Sequence, residues 1–97
     1  MRLFRAVCHE ELKDIRDRGR LRVGENSLEG KWLAEREDDA RRWADEFERR
    51  DGKPCTVIEV VVPPDVFAGA FSVEHLDDIG PAIFVEEHDL AALVPRT

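Results

Sequence analysis

Cys55-Thr56-Val57-Ile58-Glu59-Val60-Val61-Val62 is the longest apolar run of the chain, and Pro63-Pro64 stops it. Its β-branched residues favour a pleated, buried surface, and the prolines cannot donate to a ladder, so the run predicts an interior strand. Around it the other segments fall into place. Leu3, Arg5 and Val7 alternate with Phe4 and Ala6, the pattern of a strand from 2 to 7 buried on most of its surface, which turns Arg5 inward. Lys31-Trp32-Leu33-Ala34 is a short strand entered through the loop Gly24 to Gly30, where Asn26 and Ser27 are turn formers. Phe71 to Val73 reads as a short edge strand, Asp77 to Pro81 as a turn, and Ala82 to Val85 as the last strand.

Helices separate these strands at irregular intervals. Leu12 and Ile15, with Gly19 past a basic last turn, predict an amphipathic helix over 9–18, after which Leu21 and Val23 begin an extended piece. Glu37 to Arg50 has acids in its first turn, bases in its last and Gly52 beyond, with Ala40, Trp43, Ala44 and Phe47 as the buried stripe. A helical turn is expected over 64–68 and a short terminal helix over 88–93. Without the regular strand-helix-strand spacing of a doubly wound sheet, the order points to a single compact α+β domain whose sheet is mixed or mostly antiparallel.

The 97 residues suffice for one two-layer core. A formal net charge of -7 repels a phosphate backbone, so nucleic acid is not expected as principal partner. Most arginines lie in mixed-sign helical segments that suit solvated ion pairs. No apolar run approaches the ~20 residues that span a bilayer, and Met1-Arg2-Leu3 leads straight into a strand, so neither a membrane anchor nor a signal peptide is expected. Cys8 and Cys55 are too few for a disulfide scaffold and too far apart for a zinc knuckle; a reducing, cytoplasmic setting is the simpler expectation. His9, His75 and His88 stand apart with no metal-site spacing, so no metal is expected. The neighbours Cys8-His9-Glu10 at a helix start do not face one another as a catalytic pair would.

Phe4-Arg5-Ala6, Gly30-Lys31-Trp32-Leu33-Ala34 and Ala40-Arg41-Arg42-Trp43 occur in an order that resembles the ADP-ribosyltransferase superfamily, especially its small bacterial toxin-type members. Such proteins carry a first-strand arginine or histidine, an aromatic in a Gly-x-aromatic-aliphatic-Ala strand and a helix with Ala-x-x-aromatic. The resemblance extends to Val57-Ile58-Glu59-Val60 before a Val-Pro stop and to Leu76-Asp77-Asp78-Ile79-Gly80-Pro81 before the late strand, and so covers most of the chain. It implies NAD as substrate, with a macromolecular acceptor or a cognate antitoxin protein as further partner. Where the family commonly places its catalytic glutamate, this chain has Pro81 or Ala82, so the resemblance assigns that role to Asp77 or Asp78.

Breaking the nicotinamide–ribose bond develops positive charge on the sugar, which calls for an aromatic slot, a donor for ribose or phosphate, and a nearby anion. Arg5 supplies a fork of donors, Trp32 a stacking face, Trp43 a second wall and Lys31 a phosphate contact, with Asp77 or Asp78 as the anion. Each has a structural alternative: an ion pair for Arg5 with Glu59 or Asp78, core filling for the tryptophans, a solvent-facing strand position for Lys31, and ordinary turn roles for the aspartates. The competing function is a non-catalytic protein-binding module that keeps this fold and presents its acidic surface to a partner.

Overall fold

The structure, a computed structural model, describes residues 1–23 and 29–97. The elements in chain order are β1 (Arg2–Cys8), α1 (His9–Arg18), β2 (Gly30–Ala34), α2 (Glu37–Asp51), β3 (Cys55–Val61), α3 (Pro64–Gly69), β4 (Phe71–Leu76), β5 (Gly80–Glu86), α4 (Glu87–Leu90) and β6 (Val94–Arg96). They build a single α+β domain around one open sheet of order β4-β5-β2-β1-β3-β6, in which every neighbouring pair is antiparallel. The run from Cys55 is an interior strand between β1 and β6, as its β-branched residues require.

Alternation along the strands assigns the two faces. Leu3, Val7, Leu33, Ile58, Val60, Ile83 and Val85 point to one side, where Ile15 of α1 and Leu90 of α4 complete an aliphatic core. Ala6, Ala34 and Ala82 point to the other, where Ala40, Trp43 and Ala44 of α2 press down on them. Small residues on both surfaces let α2 lie close to the sheet, and Trp43 fills the space that remains. Both long helices end on a glycine in the left-handed region, Gly19 and Gly52, whose N–H groups return to Ile15 and Glu48.

Several expectations are corrected. Ala82 to Val85 belongs to β5 but is not the last strand: β6 follows and pairs with β3. The terminal helix is α4 alone, because the chain turns at Ala91 and Leu93 is drawn into the core. No regular element forms at Leu21 and Val23, although Leu21 is buried. Of the expected loop Gly24 to Gly30, residues 24–28 lie outside the described residues, and Gly30 already belongs to β2. Cys8 and Cys55, directly opposite each other at the end of the β1–β3 ladder, form a disulfide. Spacing in sequence gave no sign of it, because the pairing is created by strand register. Among the described residues, no helix is long and apolar enough to cross a membrane.

Candidate functional site

The sheet parts between its two central strands. β1 pairs with β3 along its whole length from Arg2 to Cys8, and β2 with β5 from Gly30 to Ala34, whereas β1 and β2 pair only at Phe4 and Ala34. Beyond that point Arg5 crosses the gap, its Nη1 donating to the carbonyl of Trp32 at 2.8 Å. A cavity of about 180 Å³ lies at this parting. Arg5 and Trp32 line it from the strands, Trp43 and Phe47 from α2, and Leu76 with Asp77 from the end of β4. Of the residues expected from the sequence, the structure therefore brings together Arg5, Trp32, Trp43 and Asp77. Asp78 and Lys31 do not line this cavity.

Two features set this wall apart from an ordinary core. Trp43 is 7% exposed, and its Nε1 finds no hydrogen-bond partner among the described residues. Asp39, one helical turn earlier on α2 and equally buried, has an Oδ2 in the same condition. Buried polar groups are nearly always paired, so two such groups on one helix face call for an explanation. Asp39 also sits so close to Gly80 that any side chain there would collide with its carboxylate, which leaves glycine as the residue that fits.

The turn that delivers Asp77 is strained. Asp77 and Asp78 have φ of 54° and 59°, and the Ile79 N–H returns to the Leu76 carbonyl at 3.0 Å, the geometry of a type I′ hairpin turn. Asn-Gly relaxes that turn; two consecutive aspartates in the left-handed region cost stability. Strain of this kind concentrates where a side chain has a task.

On the opposite face the charges are matched. Arg5 Nε and Nη2 donate to Glu11 Oε2 and Oε1 at 2.6 and 2.9 Å, a bidentate pair. Lys31 Nζ lies 3.5 Å from Glu11 Oε1. The partner of Arg5 is thus Glu11 of α1 rather than Glu59 or Asp78; Glu59 instead meets Arg2 and Arg96 at the sheet's far edge. Lys31 is neither solvent-facing, its side chain being 11% exposed, nor beside Trp32, because neighbours in a strand point to opposite faces. Burial raises the Glu11 carboxyl, but the hydrogen bond and charge of Arg5, helped by Lys31, prevail and hold its pKa below the ordinary value. For Lys31, burial dominates and lowers the pKa despite Glu11.

Sequence reasoning missed Glu11, which drew no reading, and Asp39, covered only by the first-turn acids of its helix. Their contacts, Arg5 and Lys31 for Glu11 and Gly80 for Asp39, come from other elements and leave no local trace. It also missed an aromatic row that the β2–β5–β4 register creates: Trp32 lies with its ring centroid 5.1 Å from Phe84 and 6.3 Å from Phe71. Phe71, on the edge strand, is 66% exposed. Among the described residues, no group of three or more His, Cys, Asp or Glu is placed to hold a metal ion. Compared with protein families, curated proteins and solved structures, the chain matches none of them.

Proposed function

We propose that the chain is a NAD-using ADP-ribosyltransferase-like domain of the toxin or effector type, acting in the cytoplasm, with a macromolecular acceptor or a cognate antitoxin protein as its further partner. One observation carries the reading: Arg5, Trp32, Trp43 and Asp77, from four separate segments, line a single cavity where the sheet parts. Aromatic walls, a forked cation and a carboxylate around one space are what cleavage of a nicotinamide–ribose bond needs.

At about 180 Å³ the cavity is smaller than the ~300–1,000 Å³ of typical ligand pockets, so it suits the nicotinamide ring while the rest of the dinucleotide lies over the surface. Trp32 offers a stacking face, and Trp43 a second aromatic wall. Three of the five N–H groups of Arg5 are engaged, which leaves two for a ribose hydroxyl or a phosphate oxygen. As the bond from ribose C1′ to nicotinamide breaks, its electron pair leaves with nicotinamide and the Asp77 carboxylate stabilises the positive sugar. The acceptor nucleophile then bonds to C1′ and gives up its proton.

The second reading, a non-catalytic binding module, draws on the same arginine: a fork already paired with Glu11 and the Trp32 carbonyl needs no ligand. Labelled NAD incubated with the protein and a cell lysate separates the two. Release of nicotinamide with label transfer supports the enzyme; quenching of tryptophan fluorescence by NAD without release supports the module; neither release nor quenching removes NAD from the account.

A further inference from the structure

We propose that the Cys8–Cys55 cystine is a thiol-exchange site, with Cys8 as the exchanging sulfur and a dithiol as its reductant. The pair joins directly opposed residues at the end of the β1–β3 ladder, both half-buried. Beside it lies a cavity of about 510 Å³, larger than the one at the parted strands, lined by Cys8 but not by Cys55, together with His9, Glu10, Asp51, Lys53 and Pro54. An incoming thiolate therefore has a path to the Cys8 sulfur.

The surroundings of the two sulfurs also differ in how well each holds a thiolate, which makes Cys8 the better leaving group of the second displacement. Cys8 is the N-cap residue of α1; its sulfur, tied to Cys55, makes no side-chain cap bond, and once released as a thiolate it can turn toward the N–H groups of the first helical turn. Of the acids of that turn, Glu11 is held by Arg5, and Glu10, which also lines the cavity, lies 3.9 Å from the Lys53 ammonium. Cys55 has the opposite setting, with its own N–H bound to Glu48 Oε1 at 2.8 Å, so a carboxylate stands beside any charge on that residue. Negative charge is favoured at Cys8 and disfavoured at Cys55.

The exchange balances as follows. A thiolate of the dithiol attacks the Cys8 sulfur, a new S–S bond forms, the Cys8–Cys55 bond breaks, and the electron pair goes to Cys55, which takes up a proton. The second thiol of the reductant, deprotonated, then displaces Cys8 as a thiolate stabilised by the helix terminus, and the reductant leaves as a cyclic disulfide. In a reducing compartment the tie between β1 and β3 is opened by this route while the fold persists.

The test is mass mapping of the oxidised full chain after brief treatment with glutathione under native conditions and an acid quench. The mixed disulfide is expected on Cys8 in about tenfold excess over Cys55, following access through the cavity. Alkylation of the single-cysteine variants Cys55→Ser and Cys8→Ser by iodoacetamide at neutral pH should be several-fold faster at Cys8. Equal labelling, a preference for Cys55, or resistance of the cystine to dithiothreitol until the protein is denatured would each overturn the proposal. Mapping on the native cystine needs neither variant to fold.

Discussion

The two faces of the sheet treat polar groups in opposite ways. On the α1 side a carboxylate and two cations lie half-buried beside an aliphatic core, and each has its partner: Glu11 takes the fork of Arg5 and the ammonium of Lys31. On the α2 side, under alanines and aromatics, the Trp43 Nε1 and Asp39 Oδ2 lack partners among the described residues, and the nearby hairpin turn holds Asp77 in the left-handed region. One face is arranged for stability. The other keeps polar capacity and backbone strain beside a cavity, the arrangement expected of a surface that meets a ligand.

The comparison breaks most visibly at Glu11. Glu11→Ala leaves two cations partly desolvated with no counter-charge and is expected to cost about 3 kcal/mol, the lower end for a buried pair because a quarter of its side chain is exposed. A urea melt reads this directly; a loss under ~1 kcal/mol would place the pair in the class of surface bridges. The same face gives a pH dependence whose sign is fixed. Because the Glu11 pKa is lowered in the folded state from 4.5, its contribution is complete above that value and is lost as pH falls through the lower folded pKa. Acid titration of Glu11→Gln should lack that part of the loss.

Comparable in size is the loss of the cystine, since opening a covalent tie between positions 47 apart in sequence typically costs about 2–5 kcal/mol. Reduction should lower the melting temperature without unfolding the chain at room temperature.

Across the sheet the expected effects on stability are smaller and those on binding larger. For scale, Leu33 of the aliphatic core on the α1 side, wholly buried, should cost ~2–5 kcal/mol on truncation to alanine. Its neighbour Trp32, half-buried at the cavity, should cost less in melting temperature than Leu33→Ala and more in NAD affinity. If Trp32→Ala unfolds the chain instead, Trp32 is core and the cavity has lost a wall for structural reasons alone.

Much of this architecture was legible from local pattern. The run Cys55 to Val62, the helix Glu37 to Asp51 and the Asp77–Asp78 turn announce themselves through β-branching, charge order and turn chemistry, all properties of neighbours in the chain. Of the residues proposed from the sequence for a site, Arg5, Trp32, Trp43 and Asp77 line one cavity. What was not legible depends on register: the Glu11–Arg5 fork, the Asp39–Gly80 contact, the Cys8–Cys55 bond and the Trp32–Phe84–Phe71 row each join separate elements. Lys31 was misplaced for a related reason, since adjacency to Trp32 in a strand means opposite faces.

The central claim, that the α2 face carries the chemistry, rests on Asp77, and one pair of variants tests it. Asn has nearly the same shape as Asp and tolerates the left-handed backbone, so Asp77→Asn and Asp78→Asn should both keep the unfolding free energy within about 0.5 kcal/mol of that of the unmodified chain. Nicotinamide release from NAD by the three proteins is the measurement. The account predicts release by the unmodified chain and by Asp78→Asn, with a loss of about 100-fold or more in Asp77→Asn from the missing anion. Equal release by Asp77→Asn, or no release by any of the three, would contradict it.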